Sequence, residues 1–346
     1  MRQGARLRGA ILPRPEALPQ RPAPWQHALR QAARSPHELL SRLGLEPADV
    51  ALSADAARDF PLLVPQGLID RMRPGDAADP LLRQVLPAAA ETLPVPGFIT
   101  DPLAEAAARA APGILHKYAG RALLVLTGAC AVHCRYCFRR HFPYQEAGLR
   151  PAALDQALAY LAADTTLHEV ILSGGDPLTL ADARLAPLAD RLAALPALRT
   201  LRIHTRLPVV LPERVDERLL AWLAPLRLRK VLVLHVNHAR EIDAAVAQAV
   251  ARLGKAGVTL LNQSVLLRGV NDSAAALADL SERLWDIGVL PYYLHLLDHV
   301  QGAAHFEVRD AEAQALMSAL RARLPGYLVP RLAREEAGLP YKRVIA

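Results

Sequence analysis

Lysine is scarce in this chain. Only Lys117, Lys230, Lys255 and Lys342 occur, and arginine carries the rest of the 41 basic residues. Chemistry that needs a lysine amine therefore has few candidates. Cysteine is scarcer still, with three residues at positions 130, 134 and 137. An odd trio cannot be a complete disulfide set, and so few thiols suit a reducing cytosol. Aromatic residues make up 5% of the chain, and the net charge of +7 comes from scattered basic residues. The long basic runs and stacking platforms of a nucleic-acid binder are therefore missing. The charge excess fits solvated surface, or attraction of an anionic cofactor or acidic partner. No apolar run reaches the roughly 18 residues of a membrane helix. The opening Met1-Arg-Gln-Gly-Ala-Arg-Leu-Arg-Gly-Ala-Ile lacks the apolar core of a secretory signal.

What is present is apolar residue in quantity, 52% of 346 residues, enough for one large domain or a barrel with an appendage. Prolines at 13, 15, 19, 22 and 24 mark residues 1–24 as an extended leader. Residues 25–112 read as a helical, loop-rich region, with helical patterning at 27–43 and 80–90. From 113 to 325 the texture changes. Short apolar runs at 122–126, 169–172, 200–203, 231–234, 258–261 and 292–296 alternate with amphipathic stretches at 152–163, 181–195, 215–223, 241–253, 274–287 and 311–324. Such alternation predicts an α/β fold with a parallel sheet covered by helices. Six units make a partial (βα)6 TIM-like barrel, with a doubly wound open sheet as the alternative. Residues 326–346 form a short C-terminal segment.

In a barrel the chemistry gathers where strands end. The predicted strand ends carry Thr127-Gly-Ala-Cys130, Ser173-Gly-Gly-Asp-Pro177, His204-Thr-Arg206, His235-Val-Asn-His238, Asn262-Gln-Ser264 and Asp298. The run Cys130-Ala-Val-His-Cys134-Arg-Tyr-Cys137 has the C-x3-C-x2-C spacing of radical S-adenosylmethionine (SAM) enzymes, which it resembles. In those enzymes three thiolates hold a [4Fe–4S] cluster and SAM takes the fourth iron, because soft anionic sulfur suits iron. The rival is a Cys3His zinc site completed by His133 or His141, although structural zinc sites usually show two separate ligand pairs. Ser173-Gly-Gly-Asp-Pro177 is either an ordinary turn with Asp176 as a helix cap or, beside the cysteines, a SAM contact. Lys230 and Lys255 belong on the opposite rim of the barrel. If a lysine anchors pyridoxal phosphate (PLP), elimination points to Lys342; otherwise it is a solvated residue of the tail. Arg139 could grip a carboxylate in a two-pronged fork, and Asp298 and Glu335 could hold a cationic group.

The match extends beyond the superfamily. The cysteine segment continues as Phe138-Arg-Arg-His-Phe-Pro-Tyr144, and with Ser173-Gly-Gly-Asp-Pro-Leu178, Asn262-Gln-Ser-Val-Leu-Leu267 and Pro291-Tyr-Tyr it resembles the lysine 2,3-aminomutases. Leu294-His-Leu-Leu-Asp298, Gln301-Gly-Ala-Ala-His-Phe306, Gly326-Tyr-Leu-Val-Pro-Arg-Leu-Ala-Arg-Glu335, Asp70-Arg-Met and Asp79-Pro-Leu-Leu-Arg-Gln-Val85 are similar to the branch that makes β-lysine for elongation factor P. The resemblance covers most of residues 25–342. It implies that Cys130, Cys134 and Cys137 ligate the cluster. Gly174, Gly175 and Asp176 would help bind SAM, with His235 and Gln263 lining its pocket. Lys117 and Arg121 would hold the PLP phosphate, and Lys342 would anchor the cofactor. Arg139 would take the substrate α-carboxylate, and Asp298 and Glu335 its ε-ammonium. The chain departs from the free-lysine enzymes in having Lys117 for arginine, Glu335 for aspartate, and Ala337-Gly-Leu-Pro-Tyr341 in place of a glycine-rich run.

The implied activity is conversion of L-α-lysine to (R)-β-lysine by an isomerase using a [4Fe–4S] cluster, SAM and PLP. The implied setting is a cytoplasmic homo-oligomer reduced by an external donor such as flavodoxin and linked to elongation factor P and its lysyl-ligase. The alternatives are a mutase of glutamate or arginine, and a non-catalytic zinc-binding module.

Overall fold

The computed structural model describes residues 23–147, 149 and 151–346. Apart from Ala23 and Pro24, the proline-rich leader expected at 1–24 lies outside them. A single ten-stranded sheet runs in chain order. Its strands are β1 (Arg109–Ala111), β2 (Ile114–Tyr118), β3 (Arg121–Thr127), β4 (Glu169–Gly174), β5 (Thr200–Thr205), β6 (Arg229–His235), β7 (Val258–Val265), β8 (Leu290–His295), β9 (Arg331–Arg334) and β10 (Arg343–Val344). β3 to β8 are parallel throughout and coincide with the six expected strands. Helices Pro151–Ala163, Asp182–Ala193, Glu217–Leu223, Ala244–Lys255, Ala274–Asp286 and Asp310–Arg323 follow them in turn. Among the described residues β1 does not pair with β10, so this partial barrel stays open.

The alternation within a strand sets the two faces. In β5, Leu201, Ile203 and Thr205 are buried, whereas Thr200, Arg202 and His204 are only half-buried. Leu201 and Ile203 pack in one core with Leu185, Leu188, Ala189 and Leu192, which recur at helical spacing in Asp182–Ala193. Each fully buried leucine contributes about 1.5–3 kcal/mol. The other face of the strand carries the polar side chains Thr200, Arg202 and His204. Helix starts are fixed by capping side chains: Asp216 on Leu219 N, Asp243 on Val246 N and Ser273 on Ala276 N.

Four features depart from the expected pattern. The stretch 27–43 is two helices, Pro24–Arg30 and Pro36–Leu43. The residue before a proline is driven out of the helical region, and Ser35 is extended at φ −115°, ψ 133°. The stretch 80–90 is a short helix, Pro80–Arg83, followed by a 3-10 turn at Ala89–Thr92. A hairpin, β1–β2, precedes the first barrel strand. After the last helix, β9 joins β8 as a further parallel strand and β10 returns antiparallel to it. At four and two residues, β9 and β10 are too short to show a period. Residues 23–86 share one continuous core with the barrel, through Trp25, Leu40, Val64 and Leu82 among others. No helix among the described residues is long and apolar enough to cross a membrane.

Candidate active site at the mouth of the barrel

β3 delivers the cysteines. It ends at Thr127, three residues before Cys130, and the chain then turns with Cys137 N on Cys134 O at 3.0 Å. The N-terminal region braces this loop. His133 N donates to Leu63 O at 3.0 Å and Arg135 N to Gln84 O at 2.8 Å. Arg135 is fully buried; its Nε reaches both oxygens of Glu91 at 2.9 and 3.1 Å, and Arg140 Nη2 reaches Glu91 Oε2 at 2.9 Å. Glu91 thus neutralises two guanidinium groups of the cysteine loop. Removing one partner of such a buried pair costs about 3–5 kcal/mol. E91A is expected to lose that much stability in urea denaturation, and an unchanged midpoint would contradict the bracing role.

The three thiols are near enough to oppose one another's ionisation. Burial pushes the Cys130 thiol well up, and Cys137 and Cys134 add to the effect. Cys137 is pushed up to about 11 by burial and by Cys134. Three thiolates there need a cationic body between them, and iron supplies that charge. Each histidine of the zinc alternative has one ring nitrogen on a backbone carbonyl, which leaves the other nitrogen open. His133 Nδ1 pairs with Pro61 O at 2.7 Å and stacks on Phe60, and His141 Nε2 pairs with Gln301 O at 3.3 Å. Three cysteines within eight residues on one strand-end loop fit a cluster in which each thiolate would take its own iron.

The glycine pair after β4 has a steric cause. A Cβ on Gly174, whose φ is +125°, would lie 2.4 Å from Thr127 O, and one on Gly175 would lie 2.3 Å from Ala129 O. The backbone leading to Cys130 leaves no room for a side chain. Gly175 N and Asp176 N donate to Thr127 O and Ala129 O at 2.6 and 2.8 Å, so these two amides serve the fold. Asp176 accepts from Thr205 Oγ1, Arg206 N, Leu207 N and Leu178 N at 2.7–3.1 Å. Burial raises its carboxyl to about 6 despite those donors. Its side chain ties β4 to β5 and caps the turn Pro177–Thr179. His235 and Gln263 sit in register on β6 and β7, followed by Tyr293 on β8. His235 Nε2 pairs with Tyr136 Oη at 3.0 Å, and burial, then Arg206, lowers it to about 3, so its ring is neutral.

The remaining site residues join into one charged chain. Lys117 Nζ lies 2.8 Å from Glu335 Oε1, and Lys342 pairs with the other Glu335 oxygen. Burial opposes ionisation of Glu335, but Lys342 and Lys117 outweigh it and hold the carboxyl below the usual range. Lys117 also lies 3.5 Å from Glu105. Glu105 in turn fills the Arg139 fork, with Nε at 2.7 Å and Nη2 at 2.8 Å. Arg139 Nη1 donates to Ser173 Oγ and Gly174 O at 3.0 and 3.3 Å. Of five guanidinium N–H groups one remains, because Glu105 fills the fork that the sequence reading offered to a substrate carboxylate. Asp298 makes no side-chain hydrogen bond or ion pair among the described residues. Burial pushes it up to about 7, with Lys342 pulling the other way. The Lys342 charge also bears on His204 and His295, both held neutral chiefly by burial. Arg121 lies over the Tyr118 ring at 4.8 Å, and Tyr118 in turn hydrogen-bonds Glu335.

The site thus unites the cysteines with Arg139, and Lys117 with Glu335, Lys342 and Asp298. PLP chemistry requires an amine anchor and cations for a phosphate, and Lys342, Lys117 and Arg121 have the chemistry for those parts; the buried His204 Nε2 has no hydrogen-bond partner among the described residues. Sequence reasoning missed Glu105 and Glu91. Glu105 and Glu91 lie in irregular turns with no periodic pattern to mark them.

Comparison with known proteins gives an independent view. Residues 124–280 match the model of the Radical SAM superfamily. The chain is 51% identical over 319 residues to the L-lysine 2,3-aminomutase of Escherichia coli, covering 92% of this chain and 93% of that one. It is 49% identical to that of Haemophilus influenzae, covering 95% and 99%, and 42% identical to that of Buchnera aphidicola, covering 91% and 93%. Among solved structures, a radical SAM methyltransferase from Sphaerobacter thermophilus is similar over 64% of this chain and 68% of that chain, at 19% identity and a TM-score of 0.45.

Proposed function

Because the chain belongs to the lysine 2,3-aminomutase family of radical SAM enzymes, we propose that it converts L-α-lysine to (R)-β-lysine with PLP as well as a [4Fe–4S] cluster and SAM. The observation that carries this reading is that a lysine amine, Lys342, and unpaired Asp298 share the barrel mouth with Arg139, two residues beyond the last cysteine. When bound, the cluster and SAM would supply the radical that removes a hydrogen from substrate Cβ, and PLP would carry the nitrogen that moves. The protein's own groups bind and orient. Cys130, Cys134 and Cys137 would hold the cluster. Gly174, Gly175 and Asp176 would shape the SAM side, together with His235 and Gln263. Lys117 and Arg121 would hold the phosphate, and Lys342 would anchor PLP. Arg139, kept rigid by Glu105, would meet the α-carboxylate with its remaining N–H.

The ε-ammonium end falls first to Asp298, because Glu335 is already engaged by Lys117 and Lys342. A protonated carboxyl cannot hold an ammonium. With Asp298 near 7, lysine affinity is present above that pH and is lost as pH falls through it, KM rising toward about tenfold per unit at the acid limit. D298N should raise KM at pH 8 and flatten this limb. The same KM–pH limb in both proteins would remove Asp298 from substrate binding.

The acidic pair also sets the substrate class. Anaerobic assays with lysine, arginine and glutamate should give turnover with lysine and none with glutamate, whose side chain Asp298 and Glu335 would repel; preferential turnover of glutamate or arginine would favour the other mutase. We assign the product to elongation factor P through its lysyl-ligase, on the segments around 294–306 and 326–335 that resemble that branch. A cytoplasmic homo-oligomer served by a flavodoxin-like donor completes the reading.

A further inference from the structure

One buried network reaches the cysteines and meets the site described above at Asp176 and Tyr136. Arg206 follows β5 and is 6% exposed. Its Nη1 donates to Cys134 Sγ at 2.8 Å and to Tyr136 Oη at 2.8 Å; its Nη2 donates to Gln84 Oε1 at 2.7 Å and Glu241 Oε2 at 2.8 Å. The backbone of Arg206 is pinned by Asp176 at 2.7 Å. Asn237 Nδ2 closes the network onto Gln84 Oε1 and Tyr136 Oη at 3.0 and 2.7 Å, and Glu241 Oε1 takes Asn237 N at 2.9 Å. The guanidinium therefore has one orientation, and in it a charged N–H points at a ligand sulfur.

The geometry points to Arg206 as a positioning residue that sets the reduction potential of the cluster. This rests on the cysteines being cluster ligands. A neutral thiol gains little from a guanidinium, whereas an iron-bound thiolate accepts a charge-assisted bond. When an external one-electron donor reduces the cluster, the added electron increases negative charge on its sulfurs. A fixed positive charge and an N–H···S bond stabilise that reduced form, and hydrogen bonds to sulfur and net charge are established levers on such potentials. Arg206 thereby makes the cluster easier to reduce. Glu241, which partly neutralises Arg206 in a water-poor setting, works in the opposite direction.

The test is a spectroelectrochemical titration of the anaerobically reconstituted holoenzyme, comparing wild type with R206Q, R206K and E241Q. R206Q should lower the one-electron reduction equilibrium constant at least tenfold, a shift of about 59 mV to more negative potential. R206K, keeping the charge without the fork, should fall between. E241Q should move the potential the other way, to more positive values, and it carries the test if R206Q does not fold. A merely structural Arg206 would change iron content or thermal stability and leave these signed shifts absent. Unchanged potentials in variants with intact clusters would overturn this assignment alone. A wild type that binds no cluster would overturn the cysteine assignment and this one with it.

Discussion

Alanine at Lys342 should abolish retention of PLP while leaving the iron–sulfur absorbance intact. Of the chain's four lysines, Lys230 is tied to Ala224 O and Ala256 O at 2.8 and 3.0 Å, at the N-terminal end of β6, and Lys255 is exposed at a helix end. Only Lys117 and Lys342 reach the mouth, and Lys117 lies between Glu335 and Glu105. Both charges bear on Asp298, but only that of Lys342 also bears on His204 and His295, so a cofactor anchored there would face the polar interior. After desalting, K342A should show no PLP absorbance and no borohydride-trapped adduct, with turnover below detection and iron content unchanged. A trapped adduct that persists in K342A would move the anchor to Lys117.

Replacement of any one of Cys130, Cys134 and Cys137 by alanine should remove both the cluster and SAM cleavage. Each thiolate would hold one iron, and two alone would not fix the cluster at the strand ends. The fold should persist, because the brace on the loop runs through Glu91, Arg135 and Arg140 rather than through sulfur. The expected result is loss of iron and of turnover with an unchanged far-ultraviolet dichroism spectrum. A variant that keeps full iron and cleaves SAM would exclude that cysteine as a ligand.

The sequence carried much of this architecture in its texture. Runs such as 231–234 are short and fully apolar because a parallel strand is buried on both faces, and each amphipathic stretch between them became a covering helix. Cysteine spacing marked the loop after β3, since no core packing demands three thiols in eight residues. What stayed hidden depended on tertiary contact. Nothing near Glu105 announces Arg139, which lies 34 residues away, and nothing near Glu91 announces Arg135, 44 residues away. Gly174 and Gly175 were visible as a pair, but their cause, the backbone of residues 127–129 pressed against them, was not. Asp176 caps a turn, as one of its two readings had it, and its carboxylate also holds Arg206 N and so ties together the strand ends beside the cysteines. The C-terminal tail was assigned a lysine by elimination, while the short strands that carry it to the mouth had no pattern long enough to read.

The most direct measurement is the fate of a nitrogen-15 label. L-lysine labelled at the α-amino group would be incubated anaerobically with the reconstituted enzyme, SAM, PLP and dithionite, and the product resolved by chiral chromatography and NMR. The account predicts (R)-β-lysine with the label on Cβ, formed only when SAM and PLP are both present. Recovery of unchanged α-lysine from protein carrying its full cluster and PLP would contradict it.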